Sequence, residues 1–335
     1  MAQPTVPPTL DVIAIGNAII DVIANCNDAL IEELGLSRGG MMLIDADQAT
    51  SLYEAMGPAR EISGGSAANT LAGLAALGAK CAFIGQVAED QLGEVFTHDI
   101  RAGGIAFDVP ARPGNPPTAR CLIFVTPDGQ RTMNTFLGAS HYLPAEALDE
   151  SAIASAAVLY LEGYLWDPEE PRAAMRKAID AARSAGRKIA FTPSECFVID
   201  RHRADFLDLI ETGKIDVLFC NEHEMAALVG HDDFEKGVAE LAAKIPVLVV
   251  TRGAEGAVAL SDGQRVEIGA EAIDRVVDTT GAGDLFAAGF LFGHVRGKSL
   301  EQCLKLGAIC ACEIISHYGA RPEADLKALT ASVLG

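Results

Sequence analysis

The sequence is poor in several features that would each open a class of function. Its 335 residues carry 26 basic side chains against 46 acidic ones, a formal net charge of −20. A surface so short of positive charge repels nucleic-acid phosphates and anionic membranes, so neither is an expected partner. The eight cysteines are Cys26, Cys81, Cys121, Cys196, Cys220, Cys303, Cys310 and Cys312, and none forms a C-x-x-C pair. Several sit in apolar runs such as "KCAFIG" and "VLFCNE". They read as buried free thiols in a reducing compartment, which sets a cytoplasmic expectation. No uninterrupted apolar run approaches about 18 residues, so no membrane-spanning helix is expected. The opening "MAQPTVPPTL" has neither a basic nor an apolar region. Residues 1–9 therefore read as a flexible tail rather than a signal peptide. No G-x-G-x-x-G follows the first strand-like run "LDVIAIG", which argues against a generic dinucleotide-binding enzyme. The chain shows no internal repeat and no low-complexity linker.

Hydrophobic residues make up 50% of the chain and charged residues 21%. That composition supports a large core and opposes disorder. Short β-branched runs alternate with helical patterns. "LDVIAIG", "KCAFIGQV", "AVLYLEG", "KIAFTP", "IDVLFC" and "IPVLVVT" read as buried strands. Between them, "AANTLAGLAALGA" reads as a helix with a small-residue face, closed by Gly78. "DQLGEVFTHDIRAGG" places Leu92, Val95, Phe96 and Ile100 on one helical face. "PEEPRAAMRKAIDAARSAG" has acids first and bases last, as the helix dipole favours. The alternation predicts an α/β fold, with a mostly parallel sheet covered by helices on both faces.

Two strand-rich regions interrupt it, residues 17–45 and 105–135, the second with a hairpin signal at Asp128-Gly129. Paired together, they would form a small β lid over the carboxyl ends of the main strands, where α/β folds bind ligands. The expected division is a large domain over residues 10–16, 46–104 and 136–335, with the lid over 17–45 and 105–135.

The most pointed local feature is "DTTGAGDLFAAGF", residues 278–290. An apolar helix starting there would aim free N–H groups into a cleft. Gly281 and Gly283 would let an anion approach the backbone. Asp284 would sit in the first turn, either as an acid complementing the dipole or as a working base.

"DTTGAGD" resembles the second signature of the ribokinase-like (phosphofructokinase B type) carbohydrate and nucleoside kinases. "SGGSAANTLAGLAALG" (63–78) resembles the first, and "GNAIIDV" (16–22), "NEHE" (221–224) and "TRGAEG" (251–256) follow the family order. The similarity spans residues 10–325. It implies a three-layer α-β-α ribokinase-like fold with a mostly parallel central sheet and a small β-sheet lid. The implied reaction is in-line transfer of the ATP γ-phosphoryl group to a primary hydroxyl, with Asp284 as base and the N–H groups of Gly281, Ala282 and Gly283 as the anion hole. Arg131, on a suspected lid strand, resembles a family arginine that reaches the transferring group.

Asn17 and Asp21 would grip a sugar diol, with Gly64, Gly65 and Asn69 beside the substrate. Asn221 and Glu224 would act on Mg²⁺ through water, with helix capping as the alternative. Thr251, Gly253, Gly256 and Gly319 would line the ATP site. Asp278 and Thr280, near Gly319, are the matching positions for a monovalent cation such as K⁺. Tyr164 and Trp166 fall where nucleoside-type members stack their substrate, with a plain core role as the alternative. The implied ligands are ATP, Mg²⁺ and a small substrate, in a monomer or homodimer.

The resemblance is closest to adenosine kinases, because Ser66 stands where ribokinases carry lysine after Gly-Gly. A sugar kinase for ribose, fructose or a ketodeoxy sugar acid, or another nucleoside kinase, is the alternative. A non-catalytic ligand-binding regulator is the remote one, opposed by the presence of Asp284.

Overall fold

The apolar runs between residues 10 and 251 become adjacent strands of one sheet in a computed structural model of the chain, which describes residues 7–334. Residues 1–6 of the expected tail lie outside the described residues. In chain order, the first half holds β1 (Leu10–Ile15), β2 (Ile19–Asn25), α1 (Asp28–Glu33), β3 (Met41–Leu43), α2 (Ala46–Ala55) and β4 (Ala59–Gly64). It continues with α3 (Ser66–Leu77), β5 (Cys81–Ile84), α4 (Gln91–Ala102), β6 (Ile105–Ala106), β7 (Ala119–Val125) and β8 (Arg131–Phe136). The second half holds α5 (Glu150–Ser155), β9 (Ala156–Glu162), α6 (Glu169–Ser184), β10 (Lys188–Thr192), α7 (Cys196–Glu211), β11 (Val217–Asn221) and α8 (Glu222–Val229). It ends with α9 (Phe234–Ala242), β12 (Val247–Thr251), β13 (Ala257–Ser261), β14 (Gln264–Ile268), α10 (Ala282–Val295), α11 (Leu300–Ile314) and α12 (Leu326–Leu334).

The large sheet has nine strands in the order β14-β13-β12-β11-β10-β9-β1-β5-β6. It is parallel from β12 to β6, and β13 and β14 add an antiparallel edge. Alternate side chains divide the core between the two faces. Val12, Ala14, Phe83 and Tyr160 pack with α3, α10 and α11, whereas Ile13, Ile15, Leu159 and Leu161 pack with α6, α7 and α8. This is the three-layer arrangement, and it explains why the strands are apolar throughout.

Helix α10 is buried along nearly its whole length from Leu285 to Gly293. It touches α3 on one side and α11 on the other. Such close approach requires a bare backbone at Gly289, where a Cβ would lie 2.3 Å from the Leu306 carbonyl oxygen. The eight cysteines are free thiols, five of them buried.

The small sheet has the order β3-β8-β7-β2-β4. The expected hairpin joins β7 and β8, with Gly129 at φ +83° and its N–H donated to the Thr126 carbonyl. Period-two alternation gives this sheet two different faces. Ile20, Val22, Leu122 and Phe124 merge with the large core. Ile19, Asp21, Cys121 and Met133 face a cleft over the ends of the parallel strands.

Two boundaries differ from the sequence expectation. Residues 59–64, assigned to the large domain, form β4 and pair antiparallel with β2 in the small sheet. Its first two residues, Ala59 and Arg60, are exposed, so "AREISG" carries little apolar signal. Residues 105–106, assigned to the lid, pair instead with β5 at the edge of the large sheet.

The crossing at Gly289 gives a direct test. Gly289→Ala should lower the free energy of unfolding by about 1–3 kcal/mol, through overpacking against α11. Urea unfolding with an unchanged m-value would report it.

Candidate active site

The chain leaves the large sheet after β1, enters the small one at β2, and returns through the turn between β4 and α3. A cleft of about 650 Å³ opens between these crossings and the first turn of α10. Its floor comes from strand ends: Asn17 after β1, Glu162 on β9, Thr192 on β10, Asn221 on β11 and Thr251 on β12. A more open depression of about 740 Å³ lies along α4, lined by Glu89, Glu94, His98 and Arg101 among others, and holds none of the expected residues.

The substrate side is built by interlocking turns. Gly65 has φ +96°, and a Cβ there would meet the Asn17 carbonyl at 2.2 Å. A Cβ on Gly64 would lie 2.6 Å from Asp21 Oδ2. These two glycines therefore let the turn close on Asn17 and Asp21. Glu162, fully buried, ties the same corner together. Its Oε1 accepts from the Asn17 N–H at 2.7 Å and from Asn17 Nδ2 at 2.8 Å, and its Oε2 from the Ala67 N–H at 2.7 Å. Burial pushes its carboxyl up to about 7 despite these donors. Burial likewise pushes Asp21 up to about 6, offset in part by Arg321 and Arg131.

Asp284 sits in the first turn of α10, as the sequence predicts. Ser66 Oγ donates to its Oδ1 at 2.6 Å and Asn69 Nδ2 to its Oδ2 at 3.0 Å. Burial raises its pKa above the ordinary aspartate value, and the two hydrogen bonds and Arg321 pull it back. The Oδ1 atoms of Asn17 and Asn69 are buried acceptors without a partner. Paired acceptors beside two carboxylates suit a ligand rich in hydroxyl donors.

Gly281 caps α10 in the left-handed region at φ +79°, and a Cβ there would meet the Ala320 side chain at 2.8 Å. Beside it, a Cβ on Gly283 would meet open space. Gly281, Ala282 and Gly283 all line the cleft, so the helix start presents its backbone to it.

On the nucleotide side, Asn221 and Glu224 form a reciprocal capping box on α8. Both also line the cleft, and burial raises Glu224 to about 7. The capping alternative is thus realised without removing either residue from the site. Thr251 lines the cleft, while Gly253 and Gly256 form the turn that follows it. Arg131 reaches from β8 into the large domain and pairs with Asp278 at 2.9 Å, both buried. Its Nε and Nη2 are buried without a hydrogen-bond partner, its guanidinium lies 5.5 Å from the Tyr318 ring centroid, and it does not itself line the cleft.

The Asp278 carboxylate also accepts from the Thr280 N–H and hydroxyl and from the Gly319 N–H at 3.0 Å. With both oxygens taken by these donors and Arg131, the set does not fit a monovalent cation in this arrangement. The two aromatic positions separate. Tyr164 lines the cleft near Phe197, with ring centroids 6.2 Å apart. Trp166 is fully buried against Phe191 and Phe206 and donates to Asp205, so the plain core reading holds for it.

Sequence reasoning missed Glu162 and Arg321, and it read Ser66 only as a family marker. The one signal for Glu162 is an acid closing the otherwise apolar run "VLYLE".

The sequence model described as pfkB family carbohydrate kinase matches residues 10–326. Among solved structures, a probable sugar kinase from Rhizobium etli is 46% identical with a TM-score of 0.90, covering 97% of this chain and 99% of that one. An adenosine kinase from Sinorhizobium meliloti is 48% identical with a TM-score of 0.89, covering 96% and 99%. Among curated proteins, a probable chloroplastic fructokinase-6 from Arabidopsis thaliana is 31% identical over 311 residues, covering 86% of this chain and 79% of the relative.

Removing the buried tie at Glu162 should be costly. Glu162→Ala leaves three buried donors unpaired and should lower stability by about 3 kcal/mol or more. Glu162→Gln, which keeps one acceptor, should lower it less. Denaturant titration of both variants checks the order.

Proposed function

The chain belongs to the pfkB family of carbohydrate kinases, and from that premise we propose that it transfers the γ-phosphoryl group of ATP to the 5′-hydroxyl of adenosine. The observation that carries the choice of acceptor is the uneven chemistry of the cleft. Asn17, Asp21 and Asn69 gather hydroxyl-binding groups at one corner. The small sheet and its flank face the same space with Ile19, Met41, Leu43, Met133 and Leu137, and Tyr164 and Phe197 line it too. A nucleoside has this division, a polyhydroxylated ribose and a flat apolar base. A free hexose or pentose carries hydroxyls on every edge and leaves such a wall unmatched. The 48% identity to a protein named adenosine kinase supports the same reading.

The reaction follows from the groups around α10. Asp284 accepts the proton of the attacking hydroxyl, with Ser66 and Asn69 holding its carboxylate in place. A loose transition state asks little of the base, so orienting the hydroxyl is much of its task. The N–H groups at Gly281 to Gly283 face the charge that develops on the phosphoryl oxygens. The free nitrogens of Arg131 add two further donors. Mg²⁺, bound with ATP, neutralises phosphate charge, and Asn221 and Glu224 would hold it through water.

A sugar acceptor is the second reading. The 46% identity to a probable sugar kinase and the unpaired Asn17 and Asn69 acceptors favour it.

Two measurements test the proposal. Asp284→Asn should reduce kcat by about 10²–10⁴-fold while the adenosine Kd changes little, and near-normal turnover would remove Asp284 as base. In an ATP-consumption screen of adenosine, other nucleosides, ribose, fructose and ketodeoxy sugar acids, adenosine should show the highest kcat/KM. A free sugar ranking first would overturn the acceptor assignment.

A further inference from the structure

We propose that Arg321, on the loop between α11 and α12, is a positioning residue for phosphoryl transfer: its guanidinium locks the turn from β4 to α3 and supplies the positive charge that faces Asp21 and Asp284. The inference rests on the kinase reading above.

The geometry is specific. Arg321 Nε donates to the Ser63 carbonyl at 2.8 Å, Nη1 to the Ala68 carbonyl at 2.7 Å, and Nη2 to Ser63 Oγ at 3.2 Å. Ser63 precedes Gly64, where a Cβ would lie 2.6 Å from Asp21 Oδ2. Ala68 lies between Ser66 and Asn69, the two residues that hold Asp284. One side chain thus spans the segment that carries both partners of Asp284 and the glycine facing Asp21. Its own loop is fixed in turn. Buried Glu313 accepts from the Glu323 and Ala324 N–H groups, and Gly319 donates to Asp278.

The partners of Arg321 are neutral, and among the described residues it forms no ion pair. Arg131 and Arg183, by contrast, each meet a carboxylate directly. A cation enclosed by uncharged oxygens is held by the field around it. Three carboxylates act on it electrostatically from three elements, Asp21 on β2, Asp284 on α10 and Asp99 on α4. Arg131 and Asp278 also act on Asp21, and Glu162 and Glu224 lie in the field of Asp284. Burial lowers the Arg321 guanidinium to about 10, where it stays charged. Burial raises both Asp21 and Asp284, and Arg321 opposes it in each case. Proton acceptance by Asp284 and hydroxyl binding by Asp21 both need the ionised form. Arg321 keeps that form available without touching the substrate.

The test compares three variants of the full chain: R321K keeps charge, R321Q keeps hydrogen-bonding capacity without charge, and R321M keeps neither. The readout is the acid limb of kcat/KM against pH. R321Q and R321M should move that limb upward by about one pH unit, and R321K should return it toward the wild-type position. Activity that falls equally in all three with an unmoved limb would reduce Arg321 to a structural tie and overturn the proposal. So would wild-type behaviour in R321M, or loss of the fold in R321Q while R321K folds. Titration of ¹³C-labelled aspartate carboxyls reads the same displacement without turnover. If the wild type phosphorylates no acceptor, the kinase reading fails, and the carboxyl titration still decides the role of Arg321.

Discussion

The fold's working corner depends on one buried carboxylate. Glu162 closes β9 and accepts from Asn17 and from Ala67, which lie 145 and 95 residues away in sequence. Those bonds join the exit of β1 to the start of α3. Without them, the Gly64-Gly65 turn has no fixed height above the sheet, and Asn17 has no fixed rotamer. Asp21 keeps its place in β2, but Ser66 and Asn69 on α3 then lose their tie to β9. The burial that makes Glu162 costly to ionise also makes its hydrogen bonds strong, because no water competes for them.

Asp278 plays the matching part on the other side of the cleft. Its carboxylate gathers donors from its own turn, from the loop at Gly319 and from Arg131 on the small sheet. The start of α10 is therefore held by contacts to the two segments that border it. A monovalent cation would compete with these donors for the same oxygens. The small sheet is also anchored along its core face, where Ile20, Val22, Leu122 and Phe124 join the main hydrophobic cluster. What covers the cleft is thus a sheet fused to the core on one face and tied by an ion pair at one corner.

The residues legible in the sequence were those whose meaning is local. A Gly-Ala-Gly before an apolar helix marks a helix start open to an anion, so residues 278–290 point to the loop, while the choice between dipole partner and base for Asp284 rests on the family resemblance. The parallel strands were legible for the same reason, since burial on both faces demands continuous apolar runs. β4 was not, because "AREISG" is an edge strand with two solvent-facing residues at its start, and only pairing with β2 reveals it. Glu162 and Arg321 were hidden by distance. Arg321 finds its partners 253 and 258 residues earlier. A lone arginine in "GARPEA" carries no local mark of that. Trp166 went the other way. Its place in the family pattern suggests stacking on a substrate, yet a large ring beside Phe191 and Phe206 is accounted for by core packing alone.

The same distances bear on how the cleft can discriminate. On the proposed function the hydroxyl-binding groups are Asn17 after β1, Asp21 on β2 and Asn69 on α3, and Glu162 ties the first and last of these segments to β9. The apolar wall is set differently. Met41 and Leu43 lie on the short edge strand β3, are 41% and 48% exposed, and pair only with β8. A rigid polar corner and a solvent-accessible apolar edge divide the work. On the proposed function, the corner would select for a hydroxyl-bearing ring. The edge has free apolar area that only a second, flat group can cover. Covering Met41 and Leu43 would release water from that area and so add affinity for a base-bearing acceptor without altering the corner. On this division, acceptor choice within the family can change through the edge strand while the phosphoryl-transfer geometry at α10 stays the same.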